Sequence, residues 1–168
     1  MQHLAIVYLG PKGPKVIETQ RSTEYTYKNG NKGTRKVPDV WDDAQVLDEL
    51  RPRMEAWQKA MDLADMVYDL TENFPARERF GLAYQMRKSA VSVPSNIAEG
   101  SRRKTPGYVN HLVIALGSHA ELDTQCELAS RRQFIAAKDR IRVEALIAEV
   151  GRVTHGLVRS LDPNGQAS

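Results

Sequence analysis

Two long stretches of helical periodicity, joined by only a few charged residues, constrain this chain more than anything else in it. The first runs to Ser101 with Phe80, Ala83, Met86, Ala90, Val93 and Ile97 on one face. The second runs from Thr105 to about Arg131 with Tyr108, Leu112, Ala115, His119, Leu122 and Cys126 along one seam. Apolar residues three and four apart stack on one side of an α-helix. A link as short as Arg102-Arg103-Lys104 turns the second helix back along the first, because short connections join antiparallel neighbours. Pro94 sits well inside the first stretch, where it removes a backbone donor and crowds the preceding turn, so a kink is expected there. Gly100 marks the helix end. Thr105-Pro106 reads as a restart, with threonine as N-cap and proline in the first helical position.

The same periodicity appears twice more. From about Pro52 to Asn73, Trp57, Met61, Ala64 and Tyr68 repeat at helical spacing, with Leu63, Val67, Leu70 and Phe74 on the neighbouring stripe. So wide an apolar face suits a helix with partners on two sides. Pro52 fits its first turn, and Phe74-Pro75 ends it. The following helix is expected from about Ala76. From about Lys138 to Leu161 come Val143, Leu146, Ile147, Val150, Val153, Leu157 and Leu161, closed by Pro163-Asn164-Gly165. The expected fold is all-α, an antiparallel up-down-up-down four-helix bundle over residues 51–163, with a short tail at 164–168.

Residues 1–50 have a different character. Up to Pro38 they are rich in glycine, proline and basic residues, with Glu18 and Glu24 as the only acids. Leu4 to Leu9 is apolar and Ser22 to Lys28 partly alternates, with Gly10-Pro11 and Asn29-Gly30 as turn signals. The expectation is a poorly ordered arm or a small β-hairpin, since a lone hairpin is marginal in water. Asp39, Asp42, Asp43, Asp48 and Glu49 then form an acidic linker, with a helical turn around Trp41 to Leu50 suited to the positive end of the next helix.

Catalytic signatures do not emerge. A di-iron bundle needs Glu-x-x-His pairs from two helices, and the sequence contains none. Ser92, Ser95, Ser118 and His119 lack the turn of a nucleophile elbow. There is no glycine-rich phosphate loop. The chain is therefore expected to be non-catalytic, with no cofactor and no metal. Cys126, the only cysteine, lies among apolar residues and reads as core. No apolar run approaches the ~20 residues that span a bilayer, and the start lacks the basic region of a secretory signal, so the expected location is the cytoplasm.

Two polar groups stand out. Ser95, Asn96 and Glu99 follow Pro94 and are placed to form a structural network with Ser118, Glu121 or Gln125 on the next helix. Arg87, Lys88, Arg102, Arg103 and Lys104 make a basic surface, with Tyr108 near enough to stack a base. Further basic residues close the third helix (Arg131, Arg132) and open the fourth (Lys138, Arg140, Arg142). The formal net charge of +3 permits nucleic acid as a partner. The alternative is a scaffold that binds only protein.

The strings VSVPSNIAEG (Val91 to Gly100) and ALGSHAEL (Ala115 to Leu122) resemble the four-helix-bundle proteins encoded in intervening sequences of 23S rRNA genes. That family is related to the accessory variability protein of diversity-generating retroelements. The resemblance covers roughly Trp57 to Leu161 and does not include the first fifty residues. It implies a bundle that assembles as a homo-oligomer, a pentamer in the retroelement protein, with a positively charged surface. It also implies RNA or DNA as ligand, and a reverse transcriptase or ribosomal RNA as partner. The matching basic positions are Arg87, Lys88, Arg102 and Arg103.

Overall fold

The computed structural model describes the backbone of residues 4–10, 13–26, 32–38 and 43–165, and the side chains of residues 51–165. The chain divides into two compact units, residues 1–51 and 52–168. The first holds three strands, β1 (Leu4–Gly10), β2 (Gly13–Thr26) and β3 (Lys32–Pro38). They form an antiparallel sheet in the order β1-β2-β3. Gly10 pairs with Gly13 at the Gly10-Pro11 turn signal, and a bulge interrupts the register between Ile6 and Val7. Thr26 pairs with Lys32; the Asn29-Gly30 signal lies outside the described residues. The hairpin suggested by sequence is thus extended by a third strand.

Four helices follow: α1 (Asp43–Glu72), α2 (Leu82–Gly100), α3 (Thr105–Arg131) and α4 (Ala137–Leu161). Helix α1 begins nine residues before Pro52, which therefore lies inside it. The acidic stretch, where the sequence suits a helical turn around Trp41 to Leu50, is helical from Asp43 onward. Helix α2 starts later than expected. A single 3-10 turn, Ala76–Glu78, comes first, and the Glu78 carboxylate then accepts the Leu82 amide at 3.2 Å. That contact caps an otherwise unsatisfied helix start. Lys104, not Thr105, is the residue before α3, and it makes no side-chain cap. The proline accordingly sits one position further in.

The bundle core draws on most of the predicted seams, but on α1 it follows Ala56, Ala60, Leu63 and Val67, and Tyr68, expected on the apolar face, is 44% exposed. Leu63, Val67, Met86, Val93, Ile97, Leu112, Leu122 and Val150 are all fully buried. Each such side chain contributes roughly 1.5–3 kcal/mol by leaving water. Phe80 departs from its predicted place: it lies in the turn before α2 and is 84% exposed. Helices α2 and α3 approach closely because their contact carries small residues. A Cβ on Gly100 would stand 2.6 Å from the His111 Cβ and 2.7 Å from the Tyr108 ring. Pro94 is buried. In the turn before it, the Ser95 hydroxyl donates to the Val91 carbonyl at 2.7 Å, and the Asn96 amide donates to the Ser92 carbonyl at 2.9 Å. These side chains bond within their own helix beside the proline, while the carbonyl that Pro94 deprives of an amide donor is that of Ala90.

Candidate nucleic-acid interface

The basic residues of the α2–α3 hairpin do not form one cluster. Arg87 and Lys88 lie in the first half of α2, whereas Arg102, Arg103 and Lys104 follow its end. Fourteen residues from Lys88 to Arg102 amount to ~21 Å of helix. Charge pairing divides them further. Arg103 is held by Glu99 at 3.0 Å. Arg131 and Arg140 share Glu127 at 2.7 and 3.1 Å, and Arg140 also meets Glu144 at 2.6 Å. The guanidinium beside Glu127 holds its carboxyl below the usual range, chiefly through the Arg131 hydrogen bond. Among the described residues, no carboxylate lies within ion-pairing distance of Arg79, Arg87, Lys88 or Lys104.

Arg87 is the best positioned of these cations. Its Nε donates to the Thr71 hydroxyl at 2.7 Å, and its guanidinium lies 4.9 Å over the Tyr68 ring. Thr71 in turn donates to the Val67 carbonyl at 2.7 Å. A buried hydroxyl and an aromatic face thus fix a half-buried guanidinium that retains most of its donors. Beside it opens a cleft of about 570 Å³ lined by Thr71, Glu72, Phe74, Arg79 and Arg87. Arg79 lies 5.6 Å over the Phe80 ring. Tyr84, one turn into α2, is 54% exposed. A second cleft, about 580 Å³ between α1 and the start of α4, is lined by four aspartates, Asp62, Asp65, Asp69 and Asp139, against one cation, Arg142, a balance that disfavours anions. No group of acids, histidines and cysteines among the described residues is arranged to hold a metal ion.

Tyr108 is not on the surface. Its ring is 2% exposed, packed against Gly100 with Arg53 5.3 Å over its face. Burial pushes its hydroxyl up to about 12, and that hydroxyl has no hydrogen-bond partner among the described residues. The seam that puts Tyr108 in register with Leu112 and Ala115 also turns it inward, so it cannot stack a base.

The polar residues around Pro94 form a ladder along the α2–α3 seam. Ser92 and Ser118 share a 2.8 Å hydrogen bond. Asn96 donates to the Ser92 hydroxyl at 3.2 Å, and its Oδ1 meets the His111 Nδ1 at 3.2 Å. The other ring nitrogen of His111 stands 3.7 Å from Glu99. Lower on the seam, Ser89 donates to Glu121 and accepts from Gln125, both at 3.2 Å. Ser95 stays outside the ladder, bonded within its own helix. Sequence reasoning missed Ser89, Ser92 and His111. The signal was present, since Ser89, Ser92, Asn96 and Glu99 step along α2 by three, four and three. His119 donates Nε2–H to the Ile147 carbonyl at 2.7 Å, with Gly151 against its ring: a hydrogen-bonded histidine between α3 and α4.

Helix α3 also has an outward apolar face. Val113, Ile114 and Leu128 are each nearly half exposed, and a Cβ on Gly117 would meet nothing within 4 Å. Among the described residues, no helix is long and apolar enough to cross a membrane.

Comparison with known proteins agrees with this architecture. Residues 52–156 match the family model of the 23S rRNA-intervening sequence protein. A crystal structure from Bacteroides thetaiotaomicron, titled as a protein of unknown function from the S23 ribosomal protein family, superposes with a TM-score of 0.60 at 19% identity. The match covers 64% of this chain and 98% of that one, and it shows the shared fold. No curated protein matches this chain.

Proposed function

The chain belongs to the 23S rRNA-intervening sequence protein family, and from that premise we propose that it is a non-catalytic, oligomeric bundle that binds nucleic acid through its basic surface. The observation that carries the proposal is the contrast among its cations. Most arginines of α3 and α4 are tied to carboxylates, while among the described residues none lies within ion-pairing distance of Arg79, Arg87 and Lys88 at one end of α2 or of Lys104 after its other end. Unpaired cations neutralise phosphates and release counterions on binding. Ribosomal RNA is one candidate ligand; accessory work beside a reverse transcriptase, with RNA or DNA bound, is the second form of the same reading. Both place the protein in the cytoplasm.

The outward face of α3 supports self-association. A Cβ on Gly117 would meet nothing within 4 Å among the described residues, which leaves room for another copy to approach closely. A closed ring, five-fold in the proposal, would repeat the basic surface and raise its avidity. The same apolar face also supports the competing reading, a scaffold that binds only protein.

Anisotropy of labelled RNA and DNA across a salt series separates the two. The expected result is binding that weakens steeply with salt, its slope giving the number of phosphates contacted. Reversing Arg102 and Arg103 to glutamate should weaken it while sparing the oligomer. Folded, oligomeric protein that binds neither nucleic acid at low salt would leave the scaffold as the function.

A further inference from the structure

We propose that the cleft between the end of α1 and the start of α2 is a single-stranded nucleic-acid subsite, with Arg79 and Arg87 holding a phosphate and Phe80 and Tyr84 receiving unpaired bases. This inference rests on the nucleic-acid reading above and goes further, by naming the site and the form of the ligand.

Four observations converge on this corner. Arg87 is oriented before any ligand arrives, by the Thr71 hydroxyl at 2.7 Å and the Tyr68 ring at 4.9 Å. An arginine fixed in this way loses little side-chain freedom on binding. Arg79 lines the same cleft, so two arginines border one concave space, and paired guanidinia suit phosphate oxygens. Neither has a carboxylate within ion-pairing distance among the described residues. Finally, the segment that supplies both arginines also carries the most exposed ring of the bundle, Phe80 at 84%, and Tyr84 at 54%.

The rings decide the form of the ligand. Bases in a duplex are stacked on one another and present no face to a side chain, whereas unpaired bases stack on aromatic rings. Exposed rings on the segment that supplies both cleft arginines therefore suit a single strand better than a duplex. Arg79 already stacks over Phe80 at 5.6 Å, and this contact leaves the opposite face of the ring to a base. Glu72 lines the cleft as well. Its carboxylate opposes an anion there, so it sets an upper limit on affinity that its removal should lift.

The test uses the full chain and a labelled single-stranded oligoribonucleotide of ~10 nucleotides, read by anisotropy at low salt, with the matching duplex in parallel. Arg79→Gln, an exposed change that leaves the core untouched, and Arg87→Gln should each weaken single-strand binding about five-fold or more. Tyr84→Ala should weaken single-strand binding about ten-fold and duplex binding little, as expected for a lost stacking contact. Glu72→Gln should tighten it. If the wild type binds the single strand and Arg79→Gln, Arg87→Gln and Tyr84→Ala all bind equally well, the cleft is not the site, and the general reading survives on the Arg102–Lys104 end. If the wild type binds no nucleic acid, the general reading falls and this one with it. Equal losses on single strand and duplex for Tyr84→Ala would overturn the single-strand assignment alone.

Discussion

Adding one methyl group at Gly100 and at Gly117 should move stability in opposite directions. Both residues lie in helices, where alanine is preferred over glycine by about 0.5–1 kcal/mol. At Gly117 nothing stands within 4 Å of the new Cβ, so the intrinsic gain is realised in full. At Gly100 the Cβ would lie 2.6 Å from the His111 Cβ and 2.7 Å from the Tyr108 ring. Carbon atoms settle at about 3.5–4.0 Å, so roughly 1 Å must be found. Tyr108 cannot supply it cheaply, because its ring is 2% exposed and packed on all sides. Overpacking of this kind costs about 1–3 kcal/mol. Gly100→Ala should therefore lose about 1–2 kcal/mol net, and Gly117→Ala should gain up to about 1. At about 4 °C per kcal/mol for a bundle of this size, the two melting temperatures should separate by roughly 6–12 °C. Urea denaturation of dilute protein, followed by circular dichroism, measures both. Sedimentation of the same samples adds a second readout: if copies meet across Gly117, that variant should dissociate more readily although its helix is more stable. A Gly100→Ala protein as stable as wild type would refute the close-packing argument for the α2–α3 hairpin.

Four further outcomes follow from particular contacts. Asn96→Ala removes hydrogen bonds to Ser92 and His111 and should lower stability by about 1–2 kcal/mol, with nucleic-acid binding intact in the folded fraction; lost binding at unchanged melting temperature would make Asn96 a ligand contact instead. Tyr108→Phe removes a buried hydroxyl that has no partner among the described residues and should be neutral or stabilising by up to about 1 kcal/mol, with unchanged RNA affinity by anisotropy. Cys126, whose thiol burial pushes up to about 12, should resist alkylation at pH 8 until denaturant is added; rapid labelling of native protein would show that the α3 seam opens. The Lys59–Glu149 pair at 2.6 Å holds the Glu149 carboxyl below its ordinary range, chiefly through the Lys59 hydrogen bond. A lowered folded-state value stabilises above the unfolded carboxylate pKa of ~4.3 and is lost as pH falls through the folded value, so Lys59→Met should flatten the acid limb of a pH–stability curve.

The bundle was legible because its information is periodic. Val93, Ile97, Leu112, Leu122, Val143 and Val150 announce their burial by spacing alone, and the Arg102–Lys104 link fixes antiparallel order. Boundaries were read less well, because caps act locally and against propensity. Pro52 marked a plausible first turn, yet α1 begins at Asp43. An interior proline costs one amide bond and some crowding, which a helix of 30 residues absorbs. The break between Ala76 and Leu82 turns on a single carboxylate, that of Glu78. No periodicity reveals such a contact.

The candidate interface was read only in part, and the reason is geometric. Sequence places basic residues on a helix but does not say which acids they will meet. Arg103 has Glu99 one turn away and is paired; Arg87 has Lys88 and no acid at the corresponding spacing, and it finds a hydroxyl and a ring on α1 instead. Tyr108 stood next to the basic turn in sequence, but the α3 seam carried it inward, while Phe80, predicted for the core, was left outside by the irregular turn before α2. One ring thus leaves the surface and another joins it, and the aromatic and cationic groups converge at the opposite end of α2 from the one the sequence suggested. That relocation follows from the two features which make the hairpin tight: Gly100 admits Tyr108, and the 3-10 turn at Ala76–Glu78 displaces Phe80. The packing of the bundle therefore determines which cations have no carboxylate within ion-pairing distance among the described residues: Arg79, Arg87 and Lys88 towards the α1–α2 corner, and Lys104 after the other end of α2.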